Sequence, residues 1–168
     1  MLESIVQTVV QLHFQYTEQF LTALVPMSLT VVLHGQGMRL AALYLRRFGK
    51  HASHGARASL LNIVLVATVA IMLLTHFIEI NAWAMFYFLT GMLPDYRSAM
   101  NLSVNSYTTL GASNLTLPGR WQNLDGFEAM TAMLMFGWSA AVMVNVVQKT
   151  NAVDEWQEQL KRVSTLRV

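Results

Sequence analysis

Ser103, Asn105, Ser106, Thr108 and Thr109 crowd into one short stretch between two long apolar runs. The stretch, residues 97–118, reads RSAMNLSVNSYTTLGASNLTLP and is too short and too polar to cross a bilayer. Such side chains cannot face lipid, so they must face protein or water. Pro94-Asp95 marks a helix start, because proline suits the first turn and aspartate favours the positive end of the dipole. A helix from there to about Thr108 would carry its partial negative charge at its far end and favour a cation. The chemistry these residues offer is ion handling. No cysteine, nucleotide-binding motif or nucleophile elbow is present, so no enzyme activity is expected.

A second group of chemistry-bearing residues lies inside the apolar runs. Glu79 follows His76 by three residues, so both share one helical face. An ionisable residue at that depth is a functional hypothesis by default. A proton-linked switch and a His–Glu bond locking two helices are both open. Asp125 and Glu128 begin the last apolar run; they could attract cations, brace the 97–118 segment, or pair with Arg120 or Arg97. His34, beside Gly35 and Gly37, could join His76 in ligating a haem, although counting from the basic loop places the two at different depths. The glycines read more simply as helix contacts.

The elements that must position these groups follow from composition. The 168 residues are 54% hydrophobic and only 12% charged. That is about half the charge of an ordinary soluble domain. Apolar runs at about 20–45, 58–91 and 127–148 are each long enough to span hydrocarbon. The second exceeds what a bilayer needs and must tilt or project. The first residues lack a basic leader and a small-residue cleavage site, so no cleavable signal peptide is expected. Arg39, Arg46, Arg47, Lys50 and Arg57 lie in or beside the first connection; Lys149, Lys161, Arg162 and Arg167 follow the third run. Only Arg97 and Arg120 fall on the other side. This bias predicts a multi-pass protein of the inner (plasma) membrane, N-terminus outside and C-terminus cytoplasmic. With three crossings, segment 97–118 must enter and leave on the outer face.

The segment resembles the pore of the small bacterial potassium-channel family, the two-transmembrane-plus-pore-loop module, here with an extra N-terminal helix. Family filters read Thr-Thr-Val-Gly-Tyr-Gly-Asp or close variants; this chain has Thr108, Thr109, Leu110, Gly111, Ala112, Ser113 and Asn114. Phe127-Glu128-Ala129 and Leu134-Met135-Phe136-Gly137-Trp138-Ser139 are similar to the family's inner helix, and the likeness covers about 58–148. The resemblance implies a homotetramer around one pore, with filter carbonyls replacing the hydration shell of K+ or Na+ as permeant ion and no other cofactor. It implies a monovalent cation at Thr109, Leu110 and Gly111, with Ala112 and Ser113 in the outer half. Gly137, with Ser139 after it, falls where inner helices bend to gate; close helix packing is the alternative. Ala112 stands where the family has a wedging tyrosine, Ser113 where it has a glycine, and Asn114 where it has an aspartate. These departures imply a weakly selective or non-selective pore.

The expected architecture is therefore an all-α membrane protein of three transmembrane helices plus a re-entrant pore helix and filter loop, in fourfold assembly. Its parts are an N-terminal interfacial helix (1–19), a first transmembrane helix with basic loop (20–57), a pore module (58–148) and a cytoplasmic amphipathic tail (149–168). In the tail, Val153, Trp156, Leu160 and Val163 hold a/d spacing, which suits a bundle or the membrane surface equally. The expected partners are other copies, lipid and a separate regulatory protein, and no nucleic acid. Two other readings remain: a non-conducting scaffold or partner subunit, and a haem- or quinone-binding membrane anchor.

Overall fold

Helices satisfy their own backbone groups, which is why long apolar runs adopt them in hydrocarbon. The computed structural model describes residues 1–53, 58–111 and 114–165, with side chains described for 1–48, 62–111 and 114–148. Its elements are α1 (Leu2–Ser53), α2 (Ala58–Leu89), α3 (Tyr96–Tyr107), a 3₁₀ turn (Gly119–Trp121) and α4 (Leu124–Thr165). No strand occurs among the described residues. Three segments are long and apolar enough to cross a membrane: Leu2–Phe48, Asn62–Leu89 and Gly119–Gln148. The described residues are thus all-helical, with the three apolar helices of a membrane protein.

Helix α1 is longer than the apolar run suggests. It has 52 residues, or about 78 Å at 1.5 Å each. No break separates 1–19 from the first span at 20, because nothing in that stretch caps or ends a helix. Pro26 lies inside, removing one backbone donor, and the helix continues past it. Ile5, Val9 and Leu12 are 53%, 58% and 47% exposed, so their apolar stripe is left open by the described residues. At the other end the helix runs past Arg46 and Arg47 to Ser53. The basic residue Arg57 and the chain end at 166–168 lie outside the described residues, as do the side chains of the tail.

Helices α2 and α3 end in the same way. Gly91 (φ +69°) closes α2, with its N–H on the Phe88 carbonyl at 3.1 Å and the Met92 N–H on Tyr87 at 3.0 Å. Thr109 (φ +56°) closes α3, with its N–H on Ser106 at 3.0 Å and the Leu110 N–H on Asn105 at 2.9 Å. Both are Schellman motifs, which call for a left-handed residue just past the cap. Glycine takes that conformation freely; a β-branched threonine does so at a cost of about 1–2 kcal/mol.

The described chain divides into two compact units. The first combines Met1–His34 with His76–Met135. Its core gathers Trp83, Tyr87, Leu102, Tyr107 and Leu124, all essentially sealed from solvent. The second combines Gly35–Thr75 with Phe136–Val168. There α1 and α2 approach closely: a Cβ on Gly37 would fall within the Thr75 side chain. A Cβ on Gly35 would make only an ordinary 3.7 Å contact with Trp138. Ser139 points its hydroxyl at the Met38 sulfur, 3.9 Å away, whereas a Cβ at Gly137 would meet nothing within 4 Å.

The two glycines separate packing from propensity. Gly37→Ala should destabilise the protein by about 1–3 kcal/mol through forced separation of the helices. Gly35→Ala should be neutral or slightly stabilising, since alanine is the better helix former. Thermal unfolding of both variants in detergent checks this pair of outcomes.

Candidate functional site

Positions 99, 102, 103 and 107 recur at helical spacing, and Ala99, Leu102, Ser103 and Tyr107 form the buried face of α3. Asn101, Thr108 and Thr109 stay exposed. Two of the buried four are polar, so each needs a partner in the packed interior. Both find a carboxylate.

Tyr107 donates to Glu79 Oε2. His34 Nδ1 lies 2.9 Å from Glu79 Oε1, and His76 Nδ1 lies 3.3 Å from Oε2. An ionised carboxylate only accepts, so in this arrangement both Nδ1 atoms carry the proton. His76 Nδ1 is also 3.1 Å from the Tyr107 hydroxyl, sharing its hydrogen between two oxygens. The two imidazoles sit 5.2 Å apart, tilted by 43°. Glu79 and His34 are fully buried, and His76 is nearly so.

Four helical residues before the end of α3, Ser103 donates to Glu128 Oε1 at 2.5 Å and approaches the Ile80 carbonyl at 2.8 Å. Tyr87 donates to Glu128 Oε2 at 2.8 Å. Glu128, Ser103 and Tyr87 are all fully buried. Helix α3 is therefore held to α1 and α2 through Glu79, and to α2 and α4 through Glu128.

The N-terminus of α3 is fixed separately. Asp95 is the N-cap, accepting from the Ser98 N–H at 2.9 Å and from the Ser98 hydroxyl at 2.8 Å. These bonds, the backbone one first, hold its carboxyl below the ordinary 3.8. Beyond α3, Leu110 is 69% exposed, Gly111 has φ +65°, and Asn114 is exposed. Ala112 and Ser113 lie outside the described residues.

Two sequence expectations change here. His34 and His76 are neighbours, not at different depths. Counting from Arg46 misplaced His34, because α1 runs on to Ser53. Nineteen residues separate His34 from that end, and eighteen separate Ala58 from His76. Their proximity removes the depth objection to a shared ligand, and Glu79 lies against both Nδ1 atoms. Among the described residues Glu128 pairs with hydroxyls and not with arginine: Arg120 lies 3.6 Å from Glu18 and stacks over Trp121 at 4.7 Å. Asp125 is half-buried and accepts from the Gly126 N–H at 3.0 Å.

Ser103, Tyr107 and Tyr87 were not singled out as partners of the acids. The signal was available for the first two, as hydroxyls on the apolar face of an amphipathic helix. No family model, curated protein or solved structure matches the chain.

Two outcomes test this anchoring. Glu128→Ala strands the hydroxyl of Tyr87 and weakens the hold on Ser103; it should cost about 3 kcal/mol and speed proteolysis between 108 and 118. The Asp95 cap has a depressed pKa, so its contribution is complete above the ordinary 3.8 and is lost as pH falls through the lower folded value. Asp95→Asn, which keeps a cap acceptor without the charge, should flatten the acid limb of a stability–pH curve between about pH 5 and 2.

Proposed function

We propose that the chain is one subunit of a homotetrameric, potassium-channel-like cation channel with a degenerate filter. The observation that carries this reading is α3 itself. At 12 residues it reaches about 18 Å, too short to cross the bilayer. It is anchored by one buried face while Asn101, Thr108 and Thr109 are left exposed. Lipid cannot cover those groups, so other copies or a watery path must. Fourfold assembly around the loop answers that need and places the exposed end of α3, with its partial negative charge, toward a cation.

The backbone of the loop supports the same reading. φ is positive at Thr109 and Gly111, whereas Leu110 between them is not among the positive-φ residues. Non-helical backbone of this kind is what a carbonyl-lined filter is built from. In this proposal Thr109, Leu110 and Gly111 bind a dehydrated K+ or Na+, and the channel lies in the inner membrane with the loop on the outer side. Ala112, Ser113 and Asn114 leave the outer half wide, so the pore discriminates weakly among monovalent cations.

Flux from liposomes reconstituted with the full-length protein tests the reading. The expected result is passage of both K+ and Na+ with less than about tenfold preference, in the manner of a filter with few sites. A preference of a hundredfold or more overturns the degenerate filter, and no flux of either ion favours the non-conducting scaffold. Thr109→Gly should relax the left-handed cap, raising stability by about 1 kcal/mol. The same change should alter flux, because it removes the hydroxyl and stiffness at the loop entrance.

A further inference from the structure

Two imidazoles and a carboxylate converge in the buried interior of the first unit. The ligand atoms of His34, His76 and Glu79 all lie within 4.8 Å of one another. They come from two helices, His34 from α1 and the His76/Glu79 pair from α2. We propose that His34, His76 and Glu79 form a binding site for a divalent transition-metal ion of the zinc class, with Tyr107 holding the carboxylate in place.

The geometry sits close to what such an ion requires. Zinc binds histidine nitrogen and carboxylate oxygen at about 2.0–2.2 Å in a tetrahedral shell. Neighbouring ligand atoms in that shell are about 3.3 Å apart. His34 lies 2.9 Å from Glu79 Oε1 and His76 3.3 Å from Oε2, and one ligand atom from each of the three residues falls within 4.8 Å of the others. To become metal-bridged, the proton-bridged cluster has to draw its ligand atoms in from within 4.8 Å to about 3.3 Å of one another. Each Nδ1 gives up its proton and offers a lone pair to the ion. The donor set also selects the ion: imidazole with carboxylate suits zinc, iron or cobalt, whereas magnesium and calcium require a shell of oxygens.

The surroundings match as well. Metal-bound carboxylates are held from outside by hydrogen bonds. Tyr107 makes that bond to Glu79. The approach is on the His76 side, where the side chain is 10% exposed while Glu79 is fully closed. The ion's charge offsets the burial of Glu79, an expensive group at this depth. Because Tyr107 is the last residue of α3, the ion would tie α1 and α2 to the start of the 108–111 loop. The site stands apart from whether that loop conducts.

Metal content and spectrum test the proposal on tag-free, full-length protein in detergent. Zinc or cobalt is added, excess is removed, and bound ion is counted. About one ion per chain is expected, with the visible bands of tetrahedral cobalt, displaced by zinc. Chelation should lower the thermal midpoint by on the order of 5 °C. Tyr107→Phe should weaken affinity by about 10- to 100-fold. His34→Gln with His76→Gln should abolish the cobalt bands, while His13→Gln, on the exposed N-terminal part of α1, should leave them intact. Wild-type protein that retains no ion and shows no cobalt bands overturns the site, and this arm needs no variant to fold. Bands that survive the double change, or vanish with His13→Gln, overturn it equally.

Discussion

Helix α3 is too short to span a membrane and too polar to lie in lipid, yet it is packed on one face as tightly as any core. The constraint that allows this is the pair of buried carboxylates. Glu79 takes the hydroxyl of Tyr107, and Glu128 takes that of Ser103. Each acid is costly to bury alone, and each is offset by donors from more than one helix. A satisfied network of this kind fixes depth and rotation together, because sliding or turning α3 would strand both acids at once. Apolar packing could supply the same burial without the same uniqueness.

Much of this was legible in the residues. The three spans follow from apolar runs, and α3 starts where Pro94-Asp95 places it. Segment 97–118 lies outside all three spans, as its polarity required. The partners of the acids were less legible. Periodicity identifies which face of a helix is buried, but not which neighbour meets it. Glu79 was visible as an ionisable group at depth, while its bond to His34 depends on where α1 ends. That end could not be read from hydropathy, because Arg46 and Arg47 stop an apolar run without stopping a helix. Arginine and lysine are good helix formers, and no glycine or proline follows until Gly49.

The two Schellman motifs show how one local solution serves different ends. At Gly91 the left-handed residue is one that takes the conformation freely, and the chain turns toward α3. At Thr109 the same geometry is held by a residue that resists it. Strain of this kind persists where surrounding structure over-determines it. Tyr107, two residues earlier, is tied down by Glu79 and close to His76, so the cap sits directly beside an anchor.

The nearly equal count of residues on either side of the α1–α2 connection bears on the order in which the partners of Glu79 are made. His34 precedes Glu79 by 45 positions, and the two meet at the same height of a helical hairpin. During synthesis α1 emerges first, so the acid on α2 can reach a partner from a helix already made. Its hydroxyl donor, Tyr107, arrives 28 residues later. The partner of Glu79 that comes earliest along the chain is therefore available before α3 has been made.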